Sequence, residues 1–342
     1  MYQKYLFGLV FCSYAQSGIA SSNVELYGLI DQGLRWQLHP LSSSTPHWQI
    51  SNGNKMASRF GIKGREEITS GHSVFFDLEA ETQAHHPQLG SIFRRKNYLG
   101  YENSQLGQFT LGLQSSVSFD MARLFDPAGL IRQKYVIDDL SGSMNGRYGN
   151  KWMEDSLKYS LRTKNFHLLS SYQLANHQLK QTTNYAFGMS YKFSNTLLAT
   201  SFSLSDNPKI THRQDHAYIV NAGLTHTMGP TQLKMGFSHS QLGKLHQFHP
   251  ITSQELYQIQ NVGLGFKYHL KPVIDLYTAV YAQKNIRQQH DDQFGYKYVV
   301  GGNYHFSKKT HAYTFIHHAT GSDSGKPLNN ITGGSLGIVH RF

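Results

Sequence analysis

The chain has 342 residues, of which 39% are hydrophobic and 15% charged, and its formal net charge is +11 at pH 7. No apolar run approaches the roughly 18 residues that a spanning helix needs, so a helical membrane protein is excluded. The 21 Tyr and 20 Phe are typical of a transmembrane β-barrel, in which polar lumen residues dilute the lipid-facing ones and aromatic residues form belts at both interfaces. A large soluble β-sandwich or propeller is the alternative, although sandwich strands rarely run as long as those described below.

The N-terminus predicts a cleaved export signal. Lys4 precedes an apolar stretch that ends at Cys12, and Gly18 and Ala20 place small residues at the two positions that a signal peptidase reads. We expect cleavage after Ala20, with Ala15 as the competing site. Because Cys12 is the only cysteine, the mature chain is expected to contain neither a thiol nor a disulfide.

Alternation of apolar and polar residues predicts the strands. In the segment 257–270, Val262 and Leu264 lie on one face while Lys267 and His269 lie on the other. This period of two gives each strand a lipid-facing and a water-facing side, and a sheet can span a bilayer only if it closes on itself. The sixteen predicted strands are, in chain order, residues 24–37, 58–68, 72–83, 94–103, 107–116, 155–162, 165–174, 184–193, 196–205, 216–227, 230–241, 256–270, 272–284, 294–306, 309–319 and 331–342.

The connections between these strands alternate between short and long. Met228-Gly229 and Ser307-Lys308 are short, whereas 206–215 and 242–255 are long. Short turns belong on the periplasmic side and long loops outside, and sixteen strands return the chain to the side where it began. We therefore expect a signal peptide at residues 1–20 and one antiparallel barrel, with no second domain, at residues 21–342.

The longest connection separates the fifth and sixth predicted strands and covers residues 117–154. A structureless loop of this length is usually functional. It carries charged residues of both signs, among them Asp126, Asp138 and Asp139. If the loop folds inward it sets the narrowest cross-section of the pore; an extracellular excursion that never enters the pore fits the composition equally well.

Strand parity places a set of charged side chains on the water-facing side of the predicted barrel. The candidates for the lumen or its constriction are Arg59, Lys63, Arg65, Lys158, Asp31, Arg35, Asp77 and Glu79, with Asp126, Asp138 and Asp139 on the long loop. Carboxylates on one wall and cations on another produce a transverse field, which orients dipolar solutes and discriminates among ions. The alternative is that these residues are solvated and paired with one another in a polar lumen.

Several segments carry a resemblance to a known family. They are residues 24–31, 58–64, 76–79, 98–100, 107–112, 125–129, 156–159 and 337–342, which read VELYGLID, SRFGIKG, FDLE, YLG, GQFTLG, FDPAG, SLKY and GIVHRF. Together they resemble the trimeric general porins of the Gram-negative outer membrane, in the subgroup typical of neisserial and β-proteobacterial types. The resemblance implies a sixteen-stranded barrel, a homotrimer and an inward-folded third loop that narrows each pore.

Two further residues bear on this resemblance. Phe342 resembles the signal by which the barrel-assembly machinery recognises such proteins, and an aromatic anchor at the periplasmic interface is its alternative role. Leu113 stands where the family usually has Arg, so one expected pore cation is missing. The selectivity of the pore therefore does not follow from the family.

Sequence signals for other functions are absent or weak. There is no strand-to-helix Gly-x-Ser-x-Gly elbow, no His-Glu-x-x-His zinc helix and no phosphate-cradling glycine loop, so we expect neither an enzyme nor a cofactor. The 20 histidines are scattered and predict no metal site. The basic residues are equally dispersed, which argues against nucleic-acid binding and favours an anion-attracting pore or contact with lipopolysaccharide phosphates.

These patterns predict passive diffusion of ions and small hydrophilic solutes across the outer membrane, with a modest anion preference. The expected partners are two further copies of the chain, outer-membrane lipid and lipopolysaccharide, and the assembly machinery. A solute-specific channel whose long loop binds a ligand, and a surface adhesin with an incidental pore, are the alternatives.

Overall fold

The computed structural model describes residues 22–38, 47–82, 93–129, 151–175, 183–206, 216–241, 256–287, 291–323, 326–327 and 330–342. Within them the chain forms sixteen long strands, two short ones and one helix. The strands are β1 (Ser22–Leu38), β2 (His47–Asn52), β3 (Arg59–Thr69), β4 (His72–Glu81), β5 (Lys96–Asn103), β6 (Gly107–Ser115), β7 (Trp152–Arg162), β8 (Phe166–Gln173), β9 (Asn184–Phe193), β10 (Thr196–Asp206), β11 (His216–Met228), β12 (Thr231–Gln241), β13 (Leu256–Lys271), β14 (Ile274–Arg287), β15 (Gln293–His305), β16 (Thr310–Asp323), β17 (Lys326–Pro327) and β18 (Ile331–Arg341), and the helix is α1 (Val117–Phe125).

The sheet closes into a barrel through β1. One edge of β1 pairs with β18 in an antiparallel register that runs from Leu29 opposite Arg341 to Leu38 opposite Thr332. Its other edge pairs with β3 near the chain start and with the short β2 further along. Every other long strand is antiparallel to its neighbours in the sheet, which confirms the prediction of a sixteen-stranded antiparallel barrel.

The two faces of the strands differ as the alternation predicts. On β13 the outward Val262 and Leu264 are 54% and 48% exposed, whereas the inward Asn261 is 5% exposed. Outward aromatic residues lie near the end with short turns, where Phe109 packs on Tyr159 with ring centroids 4.8 Å apart. Apolar side chains thus cover the outside of the barrel, and polar ones line much of its inside.

The short turns join strands at one end of the barrel, and the strand ends that flank the long connections lie at the other. Thr196 pairs with Phe193 across a two-residue turn, and Met228 pairs with Thr231 in the same way. Gly229 in the second turn has φ +54°, a conformation that glycine adopts without strain. The first and last strands both have their free ends at the short-turn end, which an even strand count requires.

Three elements were not predicted from the sequence. They are the short strands β2 and β17 and the helix α1. No helix among the described residues is both long enough and apolar enough to cross a bilayer. The predicted signal peptide, residues 1–20, lies outside the described residues, as do Asp138 and Asp139.

Candidate permeation site in the barrel lumen

Helix α1 lies inside the barrel, against the inner wall formed by β8 to β12. It begins after Ser116, whose hydroxyl accepts a hydrogen bond from the Phe119 N–H at 3.1 Å, and it ends at Phe125. Val117, Met121 and Phe125 recur every four residues and are at most 1% exposed, so one stripe of the helix is buried. The part of the long loop that the structure describes, residues 117–129, therefore occupies the lumen.

Small residues on the wall make room for this stripe. A Cβ built on Gly188 would lie 2.7 Å from Val117 Cγ1, and one on Gly223 would lie 2.2 Å from Phe125 Cγ. Leu169 belongs to the same buried cluster, because it points into the lumen and packs with the helix. This packing is the physical reason that Leu169 breaks the alternation of its strand.

Polar contacts fix both halves of α1 to the wall. The Asn221 amide donates to the Ser118 hydroxyl at 2.6 Å, and the Thr225 hydroxyl donates to the Leu124 carbonyl at 2.9 Å. Beyond the helix, the Tyr281 hydroxyl donates to Asp126 at 2.9 Å. Asp126 is fully buried, so this predicted constriction residue holds the loop to β14 and does not face open water.

A dense charged cluster lines the lumen opposite the helix-bearing wall, on β3 to β5. Its centre is Glu79, whose carboxylate lies 2.6 Å from Arg95 Nε and 3.3 Å from Arg59 Nε. Lys96 Nζ lies 2.7 Å from the neighbouring Asp77. The Tyr27 hydroxyl donates to both acids, at 2.6 Å to Asp77 and 3.1 Å to Glu79. Three of the predicted lumen residues are brought together here, with both signs of charge in contact.

Three of the other predicted lumen cations are also paired with carboxylates. Lys63 lies 3.0 Å from Glu25, and Arg65 lies 2.8 Å from Glu102. Lys158 on β7 lies 2.5 Å from Asp120 of α1, which joins the helix to the strand beside the wall on which it packs. Asp120 was not among the predicted site residues, since nothing in the sequence showed that residues 117–125 form a helix.

Asp31 and Arg35 lie on the inner face of β1. Asp31 is fully buried, and one carboxylate oxygen accepts hydrogen bonds from the backbone N–H groups of Lys55 and Met56, at 2.9 and 2.7 Å. Arg35 donates to Gln37 at 3.2 Å. Asp31 thus positions the segment after β2, and it is not an exposed pore charge.

Three lumen cations that were not singled out from the sequence differ from the paired cations above, because they have no carboxylate in contact. Lys55, Lys234 and Arg341 have no carboxylate oxygen within 4 Å among the described residues. Lys234 bonds the Asp126 carbonyl at 3.4 Å, and Arg341 donates to the Met56 thioether at 3.3 Å. Strand parity could have placed Lys234 and Arg341 inside the barrel, but it does not show which cations have a carboxylate in contact.

Phe342 completes the seam of the barrel. Its N–H and C=O both pair with Gly28 at 3.2 Å, and its ring lies over the Gly28 Cα on the outer face. A Cβ on Gly28 would lie 2.2 Å from that ring, so glycine is needed for this close approach. The ring is 45% exposed to the outside, a position compatible with both roles considered for it.

The architecture defines a class of protein: a closed sixteen-stranded barrel with an apolar outside, a charged inside and part of a long loop in the lumen. A model of the Gram-negative porin family matches residues 8–324. The chain belongs to this family and is an outer-membrane β-barrel.

Individual relatives are distant in sequence. An outer membrane porin protein of Bordetella pertussis is 22% identical over 264 residues, which cover 71% of this chain and 60% of the relative's length. The matched part thus spans about three fifths of that protein. The anion-selective porin of Comamonas acidovorans has the same fold, with a TM-score of 0.73 at 15% identity, 94% coverage of this chain and 100% of the porin. The trimer form of OmpT from Vibrio cholerae gives 0.72 at 13% identity, with the same coverage of both chains.

Proposed function

We propose that this protein is a water-filled channel through which ions and small hydrophilic solutes diffuse passively across the outer membrane. The observation that carries the proposal is the contrast between the two faces of the strands, apolar outside and charged inside. A wide barrel of sixteen strands leaves an aqueous lumen. Helix α1 occupies one side of that lumen. Its position is the reason for proposing that the long loop, residues 117–154, forms the constriction.

A modest preference for anions is the second part of the proposal. Acids and bases pair closely on the β3–β5 wall and at Lys158, so these groups largely compensate one another. Lys55, Lys234 and Arg341 have no carboxylate oxygen within 4 Å among the described residues. An excess of positive potential in a water-filled passage with low-dielectric walls raises the local concentration of anions. The anion-selective Comamonas porin shares the fold, which makes this selectivity compatible with the architecture.

The proposal also covers the oligomeric state, export, assembly and surface contacts of the protein. We propose a homotrimer, because a solved OmpT that shares this fold is a trimer form. Residues 1–20 serve as the export signal, and Phe342 is read by the barrel-assembly machinery. The positive net charge favours contact with the phosphates of lipopolysaccharide.

The test is a solute-flux assay with the purified, refolded protein in liposomes. Neutral sugars of increasing size should enter at rates that fall smoothly with size and rise linearly with concentration. Planar-bilayer recordings should show conductance steps in groups of three. Saturable uptake of one sugar would instead indicate a solute-specific channel, and absence of both flux and conductance from a correctly folded barrel would contradict the proposal.

A further inference from the structure

Residues 53–58 leave the barrel wall between β2 and β3 and enter the lumen. Gly53 allows the turn, with φ +72°. From this segment Lys55 Nζ reaches Asn303 on the inner face of β15 and donates to its side-chain oxygen. Met56 contacts Arg341 on the seam of the barrel. The segment is thus an inward element separate from the long loop, and we call it the inner turn.

The inner turn is held rigidly by Asp31. Besides the two N–H groups at Lys55 and Met56, the Asp31 carboxylate accepts the Tyr313 hydroxyl at 2.7 Å. The backbone of Asp31 is used as well, since its carbonyl accepts the Gly53 N–H at 2.9 Å and its N–H donates to the Ser58 hydroxyl at 2.9 Å. A fully buried carboxylate that accepts three hydrogen bonds fixes the positions of its donors.

The ammonium group of Lys55 sits between two aromatic rings. Its Nζ lies 5.7 Å from the ring centroid of Tyr277 and 5.6 Å from that of Tyr313. Glycines leave space for both phenols, because a Cβ on Gly301 or Gly337 would lie 2.6 Å from the Tyr277 or Tyr313 oxygen. Cation–π contact holds the side chain in place without neutralising its charge.

Groups around Lys55 favour an incoming anion. The Tyr277 hydroxyl is buried and has no hydrogen-bond partner among the described residues. It can therefore donate a hydrogen bond to a bound anion. Two carboxylates act on Lys55. Asp31 already accepts three hydrogen bonds, and Asp275 is already contacted by Lys267, at 3.0 Å, and by His269 and His305. Burial, followed by the positive charge of Lys267, lowers the pKa of Lys55 to about 8. A bound anion would stabilise the charged form of Lys55 against both burial and the charge of Lys267.

We propose that Lys55, presented by the inner turn, is the anion-binding residue of the lumen and sets the preference of the pore for small inorganic anions and carboxylates. Arg341, beside Met56, supplies a second cation for the same anion. The inference rests on the proposed channel function and adds the residue that determines its selectivity. It also assigns a role to a segment other than the long loop.

The test compares wild type with Lys55→Gln and Lys55→Arg, using the reversal potential in a tenfold KCl gradient at pH 7 and pH 9. Lys308→Gln is the matched control, because it removes one positive charge from an exposed short turn. A group with a pKa near 8 is roughly 90% charged at pH 7 and about 10% charged at pH 9, whereas an ordinary lysine stays almost fully charged at both. The imidazoles near Lys55 are His305, which contacts Asp275, and His311.

We expect the chloride-to-potassium permeability ratio of wild type to fall at least twofold between pH 7 and pH 9. Lys55→Arg should keep the pH 7 ratio at pH 9, Lys55→Gln should show the lower ratio at both, and Lys308→Gln should behave like wild type. An open Lys55→Gln channel with wild-type selectivity and pH dependence would overturn the inference and leave the channel function intact. If Lys55→Gln does not fold, a Lys55→Arg protein with the same alkaline fall as wild type overturns it. A folded wild type without conductance would instead contradict the channel itself.

Discussion

An alanine at position 223 is expected to loosen helix α1 from the wall of the lumen. The new Cβ would lie 2.2 Å from Phe125 Cγ and 2.6 Å from the Met235 carbonyl. That carbonyl belongs to the β11–β12 ladder, so the Phe125 ring must give way and move the end of the helix. Overpacking of this kind costs about 1–3 kcal/mol, which corresponds to a roughly 5- to 150-fold larger open population of the helix.

Thiol labelling measures that open population. In a Cys12→Ser background, Ser118→Cys places a thiol at a position that is 3% exposed and faces the wall. Labelling of Cys at this position should be about 5- to 150-fold faster when Gly223→Ala is added, and a further Phe125→Leu should slow it again by freeing space for the methyl group. Gly301→Ala is the matched control, because its Cβ would meet Tyr277 and the Thr314 carbonyl and not the helix.

Two results would refute this reasoning. Equal labelling rates with and without Gly223→Ala would mean that Phe125 does not pack on this glycine. Equal acceleration by Gly301→Ala would mean that any strain in the wall loosens the helix, so the contact at Gly223 would have no special role.

Three other substitutions test neighbouring contacts. Tyr281→Phe removes the hydroxyl that donates to buried Asp126 and accepts the Ala128 N–H at 2.7 Å. Loss of these bonds should weaken the attachment of the loop to the wall by about 1–3 kcal/mol and raise the labelling rate at position 118. An unchanged rate would contradict the anchoring role. Asp120→Asn removes the partner of Lys158 and should raise the chloride preference of the open channel. The double variant with Lys158→Gln should return the preference towards that of wild type. A shift of the single variant towards potassium selectivity would be inconsistent with this pairing. Asp31→Asn removes a negative charge but releases the inner turn, so we expect a lower chloride preference, while a rise would show that simple charge counting outweighs the clamp.

The strands could be predicted from the sequence because each exposes one face to lipid. The largest differences between the predicted and observed strand ends are three or four residues. β7 begins at Trp152 instead of 155, β14 ends at Arg287 instead of 284, and β16 ends at Asp323 instead of 319. Leu169 departed from the pattern because a helix covers it inside the barrel. The alternation rule assumes that inward side chains meet water, so it cannot predict an apolar residue that packs on a helix inside the barrel.

The lumen was predicted less completely, for a physical reason. Parity gives the face on which Arg59, Lys63 and Lys158 lie, but not which carboxylate each of them contacts. The partners of the first two lie on neighbouring strands, and the partner of Lys158 lies on the helix. Lys55 follows no strand pattern, since it enters the lumen on a turn that Asp31 folds inward. Which lumen charges remain uncompensated is therefore a property of tertiary contacts.

The most direct test of the account is the reversal potential of the wild-type channel in a planar bilayer under a tenfold KCl gradient at pH 7. We predict stable openings whose reversal potential has the sign of chloride-selective permeation. An open channel that reverses on the potassium side would contradict the assignment of the uncompensated lumen cations as the selectivity determinants.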